Sequence, residues 1–230
     1  MRKKLFEITS FTAVNTNINW NKTKLFNSLQ RKYRMETAAH RKYARIVSSL
    51  EDIARYTEGR LMLVGGTALA IFYLNHRVSV DLDFVPLLER EEKAKERFKG
   101  NLSNAGYTTL RAAFKNQFVI QFENVSVKVE IFVPDRKLAA PEERKIGNAN
   151  IKIATLNDLL EMKREAYYAR KKARDIFDIF AILRKLNAKY DEIKEMLKKD
   201  GKPEDIEELK TMIIDKECFA DFEKVLKNAD

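Results

Sequence analysis

The chain has 230 residues, 45% hydrophobic and 34% charged, with a formal net charge of +10 at pH 7. That balance excludes a disordered polyelectrolyte and suits a globular fold with a core of its own. The single cysteine, Cys218, excludes a disulfide framework, and the longest apolar run, 61–74, is too short and too glycine-broken to cross a bilayer.

The basic start "MRKKLFEITSF" is broken by Glu7, Thr9 and Ser10 before an apolar stretch can form. No export signal is therefore expected, no membrane partner, and a cytoplasmic location. Charge is unevenly placed: the first 60 residues hold 13 basic and 5 acidic side chains, a net +8 of the total +10. This stretch reads either as an electrostatic footprint for a polyanion such as nucleic acid, or as a solvated helix surface.

In chain order, residues 22–58 lack Gly and Pro and carry Leu25, Leu29, Tyr33, Ile46, Leu50, Ile53 and Ala54 at helical spacing, predicting one or two helices that stop near Gly59. "LMLVGG" reads as a strand into a turn, "TALAIFYL" as a helix, and "VSVDLDFVP" as a strand ending near Pro86. "EREEKAKERFKGNLSNAG" reads as a charged surface helix closed by glycine. "YTTLRAAF", "QFVIQF" and "VSVKVEIFV" follow as three strands, the last two a hairpin through 123–124, and "IKIAT" is a further strand. From Asn157, taken as N-cap, one long helical pattern runs to 186, and Gly201-Lys202-Pro203 divides the tail into two more helices. The order predicts an α+β fold: a basic helical segment at 1–58, a small mixed-sheet core at 59–153, and a helical region at 154–230.

Within the core, Asp81 and Asp83 stand two apart on a strand, so both project from one face while Leu82 and Phe84 turn to the other. Two carboxylates this close repel and resist burial unless a cation lies between them. Mg²⁺ (or Mn²⁺) suits the pair, because it takes one or two protein carboxylates and completes its sphere with water and phosphate oxygens. The plain alternative is an edge strand with both aspartates facing water. Upstream, Gly65-Gly66-Thr67 joins a strand to a helix start, where free N–H groups, the dipole and the Thr67 hydroxyl can cradle phosphates. Cradle and carboxylate pair together imply a metal–nucleoside triphosphate. Glu130, alternating with Lys128 and Ser126 on its strand, is the candidate third carboxylate, as metal ligand or general base. Its alternatives are a pair with Lys128 or an edge position.

"GGTALAIFYLNHRVSVDLDF" closely resembles the signature of the AbiEii/AbiGii-type nucleotidyltransferase toxins, relatives of the MenT toxins within the DNA polymerase beta-like superfamily. Gly65 to Leu69, then His76, Arg77, Ser79, Asp81, Leu82, Asp83 and Phe84, carry the resemblance. A second family block is matched by Lys163, Arg170, Arg174, Asp175 and Asp178, and the matching blocks cover about a fifth of the chain. Asp is common at the third carboxylate in this superfamily, where this chain offers Glu130.

On one continuous helix at about 100° per residue, Lys163, Arg170 and Arg174 would share a narrow arc, with Asp178 about 60° away and Asp175 further round. Ile176, Ile179, Phe180 and Leu183 would form the opposite side, and Phe177 breaks the pattern. Alone, this is an ordinary surface stripe of i,i+4 pairs. Beside the first block it reads as the opposite wall of a cleft, with Lys163 on the triphosphate, Arg170 and Arg174 on nucleotide or acceptor, and Asp178 fixing those cations or assisting catalysis. Arg77 and Ser79 join Gly65, Gly66 and Thr67 as candidate nucleotide-binding residues. His76 and Arg77 either orient substrate or brace a carboxylate such as Asp175 or Asp178.

The resemblance implies NMP transfer from an NTP to RNA, with the tRNA 3′ end as the expected acceptor, or to a protein side chain, and a cognate antitoxin as partner. A small-molecule, antibiotic-type nucleotidyltransferase and a non-catalytic binding protein on the same scaffold are the alternatives.

Overall fold

The structure, a computed structural model, describes residues 37–123 and 125–227. The expectations for residues 1–36, including most of the basic segment, lie outside the described residues. The described chain forms two compact units: 37–68 with Ser79–Thr155, and Leu69–Val78 with 156–227. No helix among the described residues is long and apolar enough to cross a membrane.

The first unit is built on a seven-stranded mixed sheet. Its strands are β1 (Leu61–Val64), β2 (Asp81–Pro86), β3 (Thr108–Arg111), β4 (Gln117–Phe122), β5 (Val125–Ile131), β6 (Glu142–Ile146) and β7 (Ala149–Ile153), in the order β3-β4-β5-β2-β1-β7-β6. β2 runs antiparallel to β1 and parallel to β5, and β1 runs parallel to β7. Helix α1 (Ala38–Tyr56) starts at Thr37, whose hydroxyl accepts the His40 N–H, a cap that satisfies one of the free donors of the first turn. Its stripe of Tyr43, Ala44, Ile46, Val47, Leu50, Ile53 and Ala54 is buried, as the 3.6-residue period requires, and packs on β5 and β7. Leu25, Leu29 and Tyr33 belong to the undescribed stretch.

After β1 the chain makes one α turn, α2 (Gly65–Ala68), and continues as a π-helix, Leu69–Leu74. An ordinary helix was expected there; instead Asn75 N–H bonds Ala70 C=O five residues back. Such wide turns concentrate at functional positions. Helix α3 (Glu91–Asn104) packs against β2, β3 and β5. Its Phe98 ring lies between Phe84 (5.5 Å) and Phe118 (5.9 Å), both edge-to-face.

β6 was not foreseen. Four of its five residues are charged, so no alternation marks it. It is an edge strand held by antiparallel pairing to β7, with Gly147 at φ +57° in the turn and Asn148 N–H bonded to the Glu51 carboxylate. Charge on such an edge also discourages sheet-to-sheet association.

The second unit corrects the expected single long helix. It contains α4 (Leu156–Arg170) and α5 (Ala173–Lys185), separated at Lys171, whose φ is +53°. No Gly, Pro or Asn signals this break. Tertiary contacts hold it: Lys171 pairs with Asp200 at 2.7 Å and lies over the Tyr167 and Tyr168 rings, and Asp205 accepts the Ala173 N–H at 2.8 Å. Asn157 falls inside the first turn of α4, not at its cap. The tail forms three further helices, α6 (Asp191–Asp200), α7 (Ile206–Lys210) and α8 (Lys216–Lys227), one more than the glycine–proline break suggested.

Phe98→Ala should cost about 3–5 kcal/mol, the range for truncating a buried aromatic without collapse of the cavity. Urea unfolding followed by circular dichroism measures it, and a loss under about 1 kcal/mol would contradict this packing.

Candidate active site

The carboxylates sit on interior strands. β2 has β1 on one side and β5 on the other, and β5 is itself flanked by β4, which removes the edge-strand readings of Asp81, Asp83 and Glu130. Leu82 and Phe84 are fully buried, while Asp81 and Asp83 are half-buried on the opposite face. In the parallel register Asp81 lies beside Lys128 and Asp83 beside Glu130. The Lys128 ammonium approaches the Asp81 carboxylate at 3.4 Å, so the lysine pairs with Asp81 and not with its own-strand neighbour Glu130. Glu130 accepts one amide N–H on each oxygen, from Asn116 and from Gln117, both at 2.9 Å. These donors fix the carboxylate's plane and leave about half of its lone-pair positions open.

Gly65 is required by two observations. Its φ is +70°, and a Cβ there would lie 2.5 Å from the Asp83 carboxylate oxygen. The turn after β1 thus passes against Asp83 at a distance that only a residue without a side chain allows. Thr67 is fully buried, and its hydroxyl donates to the backbone carbonyl of Asp81. The hydroxyl that was expected to meet phosphate instead ties the helix start to the carboxylate strand. Ser79, just ahead of β2, is also buried.

Among the described residues no group of three His, Cys, Asp or Glu side chains is placed to hold a metal ion, so Asp81, Asp83 and Glu130 do not form a ready-made three-carboxylate centre. The Asp81–Asp83 pair by itself still suits Mg²⁺, which takes only one or two protein carboxylates and completes its sphere with water and phosphate oxygens. Two half-buried carboxylates share a face beside a glycine turn, and a third is oriented by amides, as ligating carboxylates commonly are.

The second unit gathers the other block into a buried ion cluster. Asp178, fully buried on α5, accepts from Arg77 through Nε and Nη2, both at 2.6 Å, and from His76 Nε2 at 2.7 Å. The Lys163 ammonium, on α4, reaches Asp178 at 2.8 Å and Asp175 at 3.2 Å. Arg170 binds Asp175 in a fork at 2.6 and 2.7 Å. Arg77 also pairs through its backbone with Ile213. Of the two readings offered for His76 and Arg77, the geometry is that of bracing. Because α4 and α5 are separate helices, Lys163 and Arg170 share no stripe with Arg174, and Phe177 is core, against His76, Phe219 and Phe222. Arg174 is half-buried and Arg170 exposed.

Burial alone would raise the Asp178 carboxyl, but Arg77 and Lys163, with hydrogen bonds from His76 and Arg77, hold it well below its ordinary range. Asp175 is likewise lowered against its burial, by Arg170 and Lys163. His76 is shifted down from 6.5 because burial of the ring outweighs the nearby Asp178 carboxylate.

An α+β core with paired carboxylates on an interior strand beside a glycine turn has the form of a nucleotidyltransferase. The family described as "Nucleotidyl transferase AbiEii toxin, Type IV TA system" matches residues 50–229, more than three quarters of the chain, and the chain belongs to it. The crystal structure of JHP933 from Helicobacter pylori is similar at 20% identity over 70% of this chain and 73% of that one, with a TM-score of 0.44. The solution structure of the antibiotic-resistance factor ANT(2'')-Ia is similar at 9% identity over 67% and 90%, with a TM-score of 0.43. No curated protein sequence matches the chain. The assignment rests on the family match, and nucleotidyl transfer is the activity it carries.

Two outcomes test this geometry. Gly65→Ala should lose about 1–2 kcal/mol to backbone strain and, by displacing Asp83, about a hundredfold in transfer rate. Steady-state rates and urea midpoints check both, and an unchanged rate would contradict the Gly65–Asp83 contact. The second concerns acid. Asp175 and Asp178 have depressed folded-state values, so their contribution is complete above the ordinary carboxyl range and lost as pH falls through those lower values. Folding holds His76 neutral, so protons taken up by the unfolded chain withdraw stability as pH drops below 6.5. Both effects destabilise towards acid. The melting midpoint should fall between about pH 7 and 5, and His76→Gln should flatten that fall; an equally steep fall in the variant would remove His76 as its source.

Proposed function

We propose that this chain transfers the nucleoside monophosphate of an NTP to an RNA acceptor, the 3′ end of tRNA, with release of pyrophosphate. A protein side chain is the other macromolecular acceptor that family membership leaves in view. The observation that carries the reading is the Asp81–Asp83 pair on an interior strand, against a glycine that leaves room for it. Asp81 and Asp83, with Glu130 as third carboxylate, would hold Mg²⁺ (or Mn²⁺). When bound, the metal supplies positive charge that polarises the phosphoryl oxygens and steadies the leaving pyrophosphate.

In this proposal each protein group has a specific task. Gly65 and Gly66 let phosphate oxygens come close to the main chain. Thr67 holds that turn to β2 through the Asp81 carbonyl, so carboxylates and turn move as one piece. The acceptor hydroxyl bonds to the α-phosphorus as the α–β bridging bond breaks, and its proton passes to Glu130 or to water. Lys163 and Asp178 are assigned to holding the helices, since the ammonium is buried and shared between two carboxylates. Arg170 and Arg174 remain the cations offered to nucleotide or acceptor. Arg77 and His76 brace Asp178, and Ser79 positions the start of β2. The type IV toxin–antitoxin description supports an antitoxin partner, and the cytoplasm is the proposed location.

Asp81→Ala should abolish transfer of α-phosphate label from each NTP with little change in the melting midpoint, because relief of the repulsion from Asp83 offsets loss of the partly exposed pair with Lys128. Label is followed into tRNA, protein and small-molecule fractions. Transfer by the variant would refute the metal assignment, and label in a small molecule independent of RNA would identify the antibiotic-type reading instead.

A further inference from the structure

A groove of about 550 Å³ lies in the first unit, between α3 and the turn joining β3 to β4. Lys95, Lys99, Arg111 and Lys115 line it, together with Phe114 and, at one end, Gln117. Two carboxylates also face it, Glu92 and Glu96. Glu96 is covered by Lys95 at 3.5 Å and Lys99 at 3.6 Å. Arg111 and Lys115 are exposed and, among the described residues, pair with no carboxylate. The groove is therefore cationic on balance.

Phe114 stands between those two cations in "RAAFK" and is 66% exposed. A single exposed apolar side chain is ordinary on a protein surface. This one is mounted on a turn pinned from three sides. The Phe114 carbonyl accepts the Gln117 N–H at 3.1 Å, Lys95 donates to the Lys115 carbonyl, and the Asn116 carbonyl accepts the Ile131 N–H at 2.9 Å. The ring is thus presented from a held backbone. Asn116, the last residue of the turn, and Gln117, the first of β4, carry the amides that orient Glu130, the register partner of Asp83. One pinned segment therefore joins a cation-flanked aromatic ring to the proposed catalytic carboxylates.

We infer that the turn 112–116 is a docking platform for the single-stranded end of a nucleic-acid acceptor. Phe114 stacks on an unpaired base, and Arg111 and Lys115 hold the phosphates on either side of it. An unstacked base supplies a flat partner for the exposed face of the ring, and its backbone supplies the negative charge that the two cations attract. A duplex end offers the charge without a free base, so the platform separates single strands from duplexes. This inference rests on the proposed transfer to RNA, whose site it extends.

The test uses the full chain without NTP, so it succeeds or fails independently of the Asp81 experiment. Binding of a fluorescein-labelled single-stranded RNA of about 12 nucleotides is measured by fluorescence anisotropy, with a blunt duplex of the same sequence alongside. Phe114→Ala should weaken the single strand about tenfold and leave the duplex unchanged. Phe114→Trp should retain affinity. Replacing Arg111 and Lys115 by Gln should reduce the salt dependence of single-strand binding by about 0.7 per cation removed. Unchanged single-strand affinity in Phe114→Ala, or an equal loss on the duplex, would overturn the platform. So would a loss confined to a fluorescent NTP analogue, which would place the ring on the nucleotide, or to an antitoxin, which would make it a protein contact.

Discussion

Everything at the proposed centre depends on the two-residue alternation of one interior strand. β2 must bury Leu82 and Phe84 to complete the aromatic packing against α3, and that demand forces Asp81 and Asp83 together on the other face. A shift of register by one residue would bury both carboxylates and expose the core. The hydrophobic effect thus places two mutually repelling charges side by side. The sheet tolerates this because the carboxylates are only half-buried, Lys128 stands beside one, and the Gly65 turn passes beside the other.

The buried ion cluster answers a different need. Asp178 receives Arg77, His76 and Lys163 in a buried site, where removal of a charged partner would strand a charge in low dielectric. Such clusters add little net stability compared with apolar packing, but their geometry is demanding. Here the cluster fixes the segment before β2, and the two helices α4 and α5, to one another. His76 presents its remaining ring nitrogen, Nδ1, without a hydrogen-bond partner among the described residues, consistent with a neutral ring held by burial.

Much of this was legible from residues alone. Alternation marked β2 and β5, and the glycine pair marked the turn after β1, read there as a phosphate cradle, whereas the close approach of Gly65 to Asp83 emerged only from the fold. What escaped had no local signal. β6 is charged at four of five positions and exists because β7 pairs with it. The break at Lys171 is made by Asp200 and Asp205, some thirty residues downstream, so a run of good helix formers concealed it. The wheel drawn through one uninterrupted helix gave Lys163, Arg170 and Arg174 a common stripe, and it could not reveal that Lys163 faces inward. Thr67 was recognised as important, though its hydroxyl serves the protein's own backbone.

The segment Leu69–Val78 interrupts the sequence of the sheet unit, yet belongs with helices that begin only at 156. On the ribosome, its apolar Leu69, Ala70, Ile71 and Val78 and the charged Arg77 emerge long before Lys163 and Asp178 exist to receive them. A nascent chain arrested near Thr155 would display all three candidate carboxylates, but with an unsatisfied arginine hanging between β1 and β2. The groups that neutralise and enclose Arg77 are therefore supplied only once residues 163–178 have been made, so this early segment waits on α4 and α5 to settle.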